Sequence, residues 1–381
     1  MVEPFLYPEL YIDRSLETSG KKASEFLAWF KKEIEPFLEE YFDEKIREAS
    51  EVHPEAVVLV EEIRRMVGAG GKKIRSAFAY AAYVASGGRS HEAILYASAA
   101  LELWHTFAII HDDIIDESNL RRGQPTAHIA FDKFHQNRNF SGDSQRFGIS
   151  AAILAGDLAF SFADELLDSA PFPAERIRRA KIYYNAMKQQ TAYGEHLDVI
   201  SQFKKQISEA DVLKILEYKT AKYTIERPLH IGAALAGADE KYFQIFSAYG
   251  VPLGQAFQIQ DDILGTFGKE EEIGKSVDSD IKEGKKTLLI IKAYELTNLL
   301  EKSVLNKVVG NKKASEGQIE KVREIIKSTG SLKYSDTLAR ELINQARGVM
   351  TASKLAEEGK NYLLQICDFL LVRAASLVDL R

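Results

Sequence analysis

The chain has 381 residues, 45% of them hydrophobic and 28% charged, a globular balance that excludes a disordered chain. Fifty Lys+Arg against 56 Asp+Glu leave a net charge of −6, which argues against a general nucleic-acid binder with a basic face. The single cysteine, Cys367, excludes an internal disulfide and a cysteine-based zinc cluster.

The opening MVEPFLYPEL has no basic region followed by an apolar stretch, so no secretory signal is read. The uninterrupted apolar runs fall short of the ~20 residues that span a bilayer, and a cytoplasmic protein without a transmembrane segment is expected. Only nine prolines occur, none of them between Pro54 and Pro125 or after Pro252. The first long pattern is 23–49, where Phe26, Phe30, Ile34, Phe37, Leu38, Tyr41 and Ile46 fall near one helical face. Residues 92–117 read as a long helix that is apolar nearly all round, and such a helix belongs inside a bundle. Further helices are read over 150–169, 175–200, 208–236, 240–267, 286–307, 317–328, 334–353 and 354–378. The polar stretches 132–148, 268–286 and 309–316 read as loops, and the second has the charge density of a lid. No convincing period-two strand is found. The chemistry-bearing motifs run from 71 to 286, across any midpoint boundary. The expectation is therefore one all-α domain over 1–381, a large helical bundle around a central cavity.

Asp112, Asp113 and Asp116 close the most apolar helix. Positions i and i+4 share a helical face, so Asp112 and Asp116 can present oxygens to one point. Carboxylates this close repel one another, and Mg²⁺ relieves the repulsion while leaving room for water and phosphate oxygens. Arg121 and Arg122 follow within six residues, and guanidinium grips phosphate bidentately. The turn Gly70-Gly71-Lys72-Lys73-Ile74-Arg75 offers close backbone approach beside Lys72 and Arg75, without a Walker A spacing. Gly254 to Gly265 repeats the acidic theme with Gln258, Asp261 and Asp262 on an apolar helix. Two acidic walls facing each other across a bundle are an arrangement in which helices hold metal. Lys219 and Thr220, with Lys222 and Tyr223, and the run from Lys275 to Lys285 add cations near polar donors. Taken singly, the paired arginines and the lysine-rich segments read as solvated surface. Nothing supports nucleophilic catalysis: no G-x-S-x-G elbow is present.

In order along the chain, GGKKIR, HTFAIIHDDIID with RRG, YKTAKYT, GQAFQIQDD and GKSVDSDIKEGKKT resemble the trans-isoprenyl diphosphate synthases, closest to geranylgeranyl and farnesyl diphosphate synthases of archaeal or bacterial type. The resemblance implies an all-α homodimer that condenses isopentenyl diphosphate with an allylic diphosphate using three Mg²⁺. It assigns Asp112 and Asp116 to two metals with Asp113 in support, and Asp261 to the third with Asp262 in support. It assigns Arg121, Lys219, Thr220, Gln258, Lys275 and Lys285 to the allylic diphosphate. Lys72, Arg75, His105 and Arg122 fall to isopentenyl diphosphate. Two departures stand out: Gly265 replaces a third Asp of the second motif, and 132–148 is longer than expected and reads as a surface insertion.

The resemblance also implies that bulky residues before Asp112 set product length. Phe107 and Trp104 lie about 7 and 12 Å along the helix from Asp112 at ~1.5 Å per residue. Ala108 stands where fifteen-carbon enzymes often have an aromatic, which points to the twenty-carbon geranylgeranyl diphosphate. Trp104 keeps farnesyl diphosphate or a mixed product open. The rival readings are a class I terpene cyclase, which has no need of the Lys72, Arg75 and His105 site, and a non-catalytic partner subunit, which predicts losses among these Asp and Arg positions.

Overall fold

The computed structural model describes residues 14–268 and 277–376. Lys275 lies outside them. Helix α1 (Arg14–Val52) is followed by a short 3₁₀ turn, α2 (Val57–Gly68), α3 (Ile74–Ala85) and α4 (His91–Ile115). A two-stranded hairpin (Leu120–Arg121 with Gln124–Pro125) leads to α5 (Ala127–Asn137), α6 (Ser144–Asp168) and α7 (Ala174–Phe203). Next come α8 (Glu209–Ile215), a π-helical segment (Leu216–Glu226), α9 (Arg227–Ala236) and α10 (Glu240–Phe267). The remaining helices are α11 (Ser279–Glu283), α12 (Leu288–Leu296), α13 (Leu299–Val308), α14 (Glu316–Ser328), α15 (Ser331–Ala352) and α16 (Glu357–Ser376).

The architecture is the expected all-α bundle, and α4 runs through its core. Ile94, Leu101, Leu103 and Ile110 of α4 are each 0–1% exposed, and α3, α6 and α9 pack around it. By length and hydropathy both α4 and α6 are long enough to cross a membrane, which the uninterrupted apolar runs did not suggest. The composition of α4 follows from burial inside the bundle along most of its length.

Several boundaries correct the sequence reading. Residues 132–148 are not an open loop: 132–137 finish α5 and 144–148 start α6. Asp143 caps α6 by accepting from Gln145 N at 3.0 Å and Arg146 N at 3.1 Å, and Phe134, His135, Phe140 and Phe147 form an aromatic corner around the turn. The polar composition there reflects two exposed helix faces. The segment 286–307 is two helices, because Asn298 caps α13 in a reciprocal box with Glu301 and stops α12. Helices α2 and α3 lie where no helix was read. The loop 268–286 contains α11.

The π-helical segment carries the YKTAKYT motif and is clamped on both sides. A Cβ on Gly194 of α7 would lie 2.3 Å from Lys219 N, and one on Gly254 of α10 would lie 2.4 Å from Ala221 Cα. Only glycine lets these backbones approach so closely. The wide turn sends neighbouring side chains to different partners: Lys219 towards α7 and α4, Thr220 towards α10, and Tyr223 towards α4.

Candidate active site

Helix α4 ends at Ile115, and the hairpin turns the chain back so that Arg121 meets the acidic cluster. Arg121 Nε donates to both Asp113 oxygens at 2.9 Å, while Nη2 reaches Asp113 Oδ1 at 2.7 Å and Asp112 Oδ2 at 3.2 Å. Asp113 is 1% exposed, so its carboxylate is a buried clamp for Arg121. Burial raises the Asp113 pKa above the usual carboxylate value, with Arg121 opposing.

Lys219 stands against the same wall. Its Nζ lies 2.7 Å from Asp198 Oδ2, 3.0 Å from Glu195 and 3.9 Å from Asp112 Oδ1. Burial works against its charge, but Asp198, Asp112 and Glu195 outweigh that and raise its pKa. Burial pushes Glu195 up to about 7 despite the neighbouring ammonium. Asp116 accepts from Lys285 Nζ at 3.1 Å, and Lys285 also meets Glu283 at 3.1 Å and Asp280 at 3.8 Å. Burial again opposes the charge of Lys285, and Asp280, Asp116 and Glu283 override it.

The second wall is on α10. Thr220 Oγ1 donates to Gln258 Oε1 at 2.9 Å, and Gln258 Nε2 donates to Asp262 Oδ1 at 2.9 Å. The adjacent residues Lys219 and Thr220 therefore link the two acidic walls. Asp261 accepts from Arg373 Nη2 of α16 at 2.5 Å.

A group of cations lies beside them. Lys73, in a left-handed conformation at φ 50°, starts α3. Its buried Nζ donates to Val67 O at 2.7 Å, and Glu102 lies 3.5 Å away. Arg122 Nη1 donates to Gly70 O at 2.6 Å, joining the second motif to the Gly-Gly turn. Lys72 Nζ lies 4.4 Å from the centre of the Phe369 ring, and Arg75 lies 4.2 Å over the Tyr223 ring. Arg75 Nη1 is 3.3 Å from His105 Nε2, and His105 Nδ1 meets the Tyr223 hydroxyl. Burial, with Arg75 and Arg122 nearby, holds the His105 pKa well below its ordinary value. Burial and neighbouring arginines likewise lower Arg122, and burial and Arg373 lower Lys72. Desolvated cations that depress one another make a site suited to a polyanion.

Among the described residues no three His, Cys, Asp or Glu side chains converge as a ready metal cage. Asp112 and Asp261 keep 28% and 36% of their side-chain surface, and each faces a cation. Mg²⁺ asks for only one or two carboxylates plus waters and phosphate oxygens, so this donor set fits a hard divalent cation. Sequence reasoning missed Glu195, Asp198 and Arg373. The first two are an acidic pair one turn apart on α7, a spacing that was available; Arg373 is a single charge in the apolar stretch that follows Asp368 and gave no local signal.

A polyprenyl synthetase family model matches residues 57–326. A geranylgeranyl diphosphate synthase of Sulfolobus acidocaldarius is 34% identical over 340 residues, covering 86% of this chain and 97% of that relative. A geranylfarnesyl diphosphate synthase of Aeropyrum pernix is 32% identical over 313 residues, covering 81% of this chain and 92% of that relative. The crystal structure of geranylgeranyl pyrophosphate synthase from Corynebacterium glutamicum, complexed with isoprenyl diphosphate and magnesium, superposes with a TM-score of 0.80 at 29% identity, covering 98% of this chain and 100% of that one. The chain belongs to the polyprenyl synthetase family, the short-chain trans-isoprenyl diphosphate synthases of archaeal and bacterial type, and is a trans-prenyltransferase.

Proposed function

We propose that the chain condenses isopentenyl diphosphate with allylic diphosphates and makes geranylgeranyl diphosphate as its main product. The observation that carries this reading is the pairing of two anion sites: the acidic walls with Lys219, Arg121 and Lys285, and the group of cations Lys72, Arg75 and Arg122. Two sites suit two diphosphates, whereas a terpene cyclase binds one. The magnesium in the Corynebacterium structure supports Mg²⁺ here; Asp112, Asp116 and Asp261, with Asp262 in support, would hold three ions in this reading. Bound there, Mg²⁺ neutralises the charge that develops on the leaving diphosphate. Arg121, Lys219, Thr220, Gln258, Lys275 and Lys285 orient the allylic diphosphate. Lys72, Arg75, His105 and Arg122 hold isopentenyl diphosphate, whose double bond attacks the allylic C1 once its C–O bond has ionised. The departing diphosphate takes the proton that is then lost, since the motifs offer no other base. Incubating the purified chain with isopentenyl diphosphate, each allylic starter and Mg²⁺ and identifying the products tests the assignment; absence of any chain elongation rejects it.

The length reading rests on an aromatic stack below Asp112. The Phe107 ring lies 5.0 Å from Phe160 of α6, 4.7 Å from His111 and 5.5 Å from Trp104, and Trp104 lies 5.1 Å from Tyr223. Phe107→Ala is expected to shift the product distribution towards longer chains, read by chromatography of the dephosphorylated alcohols; an unchanged profile places the floor elsewhere. Farnesyl diphosphate or a mixed product is the second reading, favoured by the bulk of Trp104.

A homodimer is supported by apolar residues that α6 and α7 leave on the surface: Leu154 is 57% exposed, Tyr193 62%, Leu197 39% and Phe203 84%. Tyr193, Leu197 and Ile200 recur at helical spacing. The double variant Leu154→Glu with Leu197→Glu is expected to sediment as a monomer under conditions where the parent chain is a dimer. A parent chain that is itself monomeric, or a variant that stays dimeric, moves the interface off this face.

A further inference from the structure

The contacts around His105 fix which nitrogen carries its hydrogen. Arginine has only donors, so the Arg75 Nη1 facing His105 Nε2 at 3.3 Å makes Nε2 the acceptor. The ring is partly buried and, with its pKa held low by desolvation and the neighbouring arginines, neutral, so its one hydrogen is on Nδ1, and Nδ1–H donates to the Tyr223 oxygen. The hydroxyl of Tyr223 thus accepts from His105 and keeps its own hydrogen to donate. The same ring lies under the Arg75 guanidinium at 4.2 Å and edge-on to Trp104 at 5.1 Å. Arg75 Nε is buried without a hydrogen-bond partner, a second spare donor in the same cluster. Tyr223 is held in place by the π-helical segment, which Gly194 and Gly254 lock against α7 and α10.

We propose that Tyr223 is a positioning residue that orders Arg75 and His105 for isopentenyl diphosphate and, through Trp104, ties that site to the wall of the elongation cavity. The proposal rests on the condensation reading above. Arg75 fixes the His105 tautomer; the Tyr223 hydroxyl accepts from Nδ1–H and holds the imidazole plane, and its ring fixes the plane of the Arg75 guanidinium. One side chain therefore governs the grip on the elongating unit and the shape of the space into which the chain grows.

Two substitutions separate these roles. Tyr223→Phe keeps the ring and removes the hydroxyl. It is expected to raise KM for isopentenyl diphosphate about five- to tenfold, the scale of one lost neutral hydrogen bond, with KM for the allylic substrate and the product length unchanged. Tyr223→Leu removes the ring as well. It is expected to raise KM for isopentenyl diphosphate further and to lengthen the products, because Trp104 loses its neighbour. Equal changes in both KM values, or no change in either, overturn the proposal. A readout independent of turnover is the ¹⁵N spectrum of histidine-labelled protein, with the His105 signal assigned by His105→Gln. The expected spectrum has Nδ1 protonated and Nε2 bare in the parent chain, with the same tautomer in Tyr223→Phe but the Nδ1 signal shifted by loss of its hydrogen-bond acceptor; a protonated Nε2 in the parent, or an unshifted Nδ1 signal in the variant, overturns it. A parent chain that shows no isopentenyl-dependent turnover rejects the condensation reading instead, and the Nδ1 shift in Tyr223→Phe then still decides whether Tyr223 orders His105.

Discussion

Asp112→Ala is expected to lose about 10²–10³-fold in turnover, the scale of removing one preorganised electrostatic contact from a charge-developing reaction, while the chain stays folded. The fold survives because both cations on Asp112 have other partners. Arg121 keeps its bonds to both oxygens of Asp113, and Lys219 keeps Asp198 and Glu195. Helix α4 is held by its buried apolar face, and residue 112 sits at its partly exposed end. What is lost is a carboxylate on the wall assigned to metal. Steady-state turnover with isopentenyl diphosphate, an allylic diphosphate and Mg²⁺, beside circular dichroism and thermal melting, separates the two effects. Parent-like turnover would show that the other carboxylates suffice and that Asp112 is not a metal ligand.

Lys219→Met is expected to lose activity to a similar degree and, unlike Asp112→Ala, to destabilise the fold in a pH-dependent way. Methionine fills much of the lysine volume but leaves Asp198, Glu195 and Asp112 facing one another without their shared ammonium. Removing one partner of a buried ionic cluster costs about 3–5 kcal/mol when the remaining charge is uncompensated; here Lys219 keeps 25% of its side-chain surface, so the low end applies. The sign of the pH dependence follows from Glu195. Its folded pKa is already raised to about 7 by burial, and loss of Lys219 raises it further. A carboxyl with a raised folded pKa binds more protons in the native state than in the unfolded one. Its destabilising contribution is therefore absent below its unfolded value near 4.5 and grows as pH rises towards the folded value. The melting midpoint of Lys219→Met should fall more steeply than that of the parent between about pH 5 and 8. Parallel curves would mean that Glu195 does not feel Lys219.

The parts legible in the sequence were those whose signal is local. The apolar run before His111 gave α4 and its burial, and the two Asp-Asp-Ile motifs gave both acidic walls. The lysine and threonine of YKTAKYT were read as donors, and the structure adds that they connect the walls through Gln258. Other features depend on elements distant in sequence and were not legible. Glu195 and Asp198 acquire meaning only when Gly194 lets Lys219 come close, and Arg373 only when α16 folds back onto α10. The π-helical turn has no composition of its own. Polar helices such as α5 were mistaken for a loop because exposure, rather than irregular backbone, set their composition.

The last helix carries a consequence for the order in which the protein is made. Phe369 covers Lys72 and Arg373 holds Asp261, while Gly359 presses so closely on α3 that a Cβ there would lie 2.2 Å from Ala85 N. Motifs translated long before therefore wait for residues 357–373 before their charged groups are in place. A nascent chain stalled short of this helix would carry every acidic and basic motif and still lack the finished surroundings of Asp261 and Lys72. A truncation that spares all the recognisable motifs should nevertheless be silent.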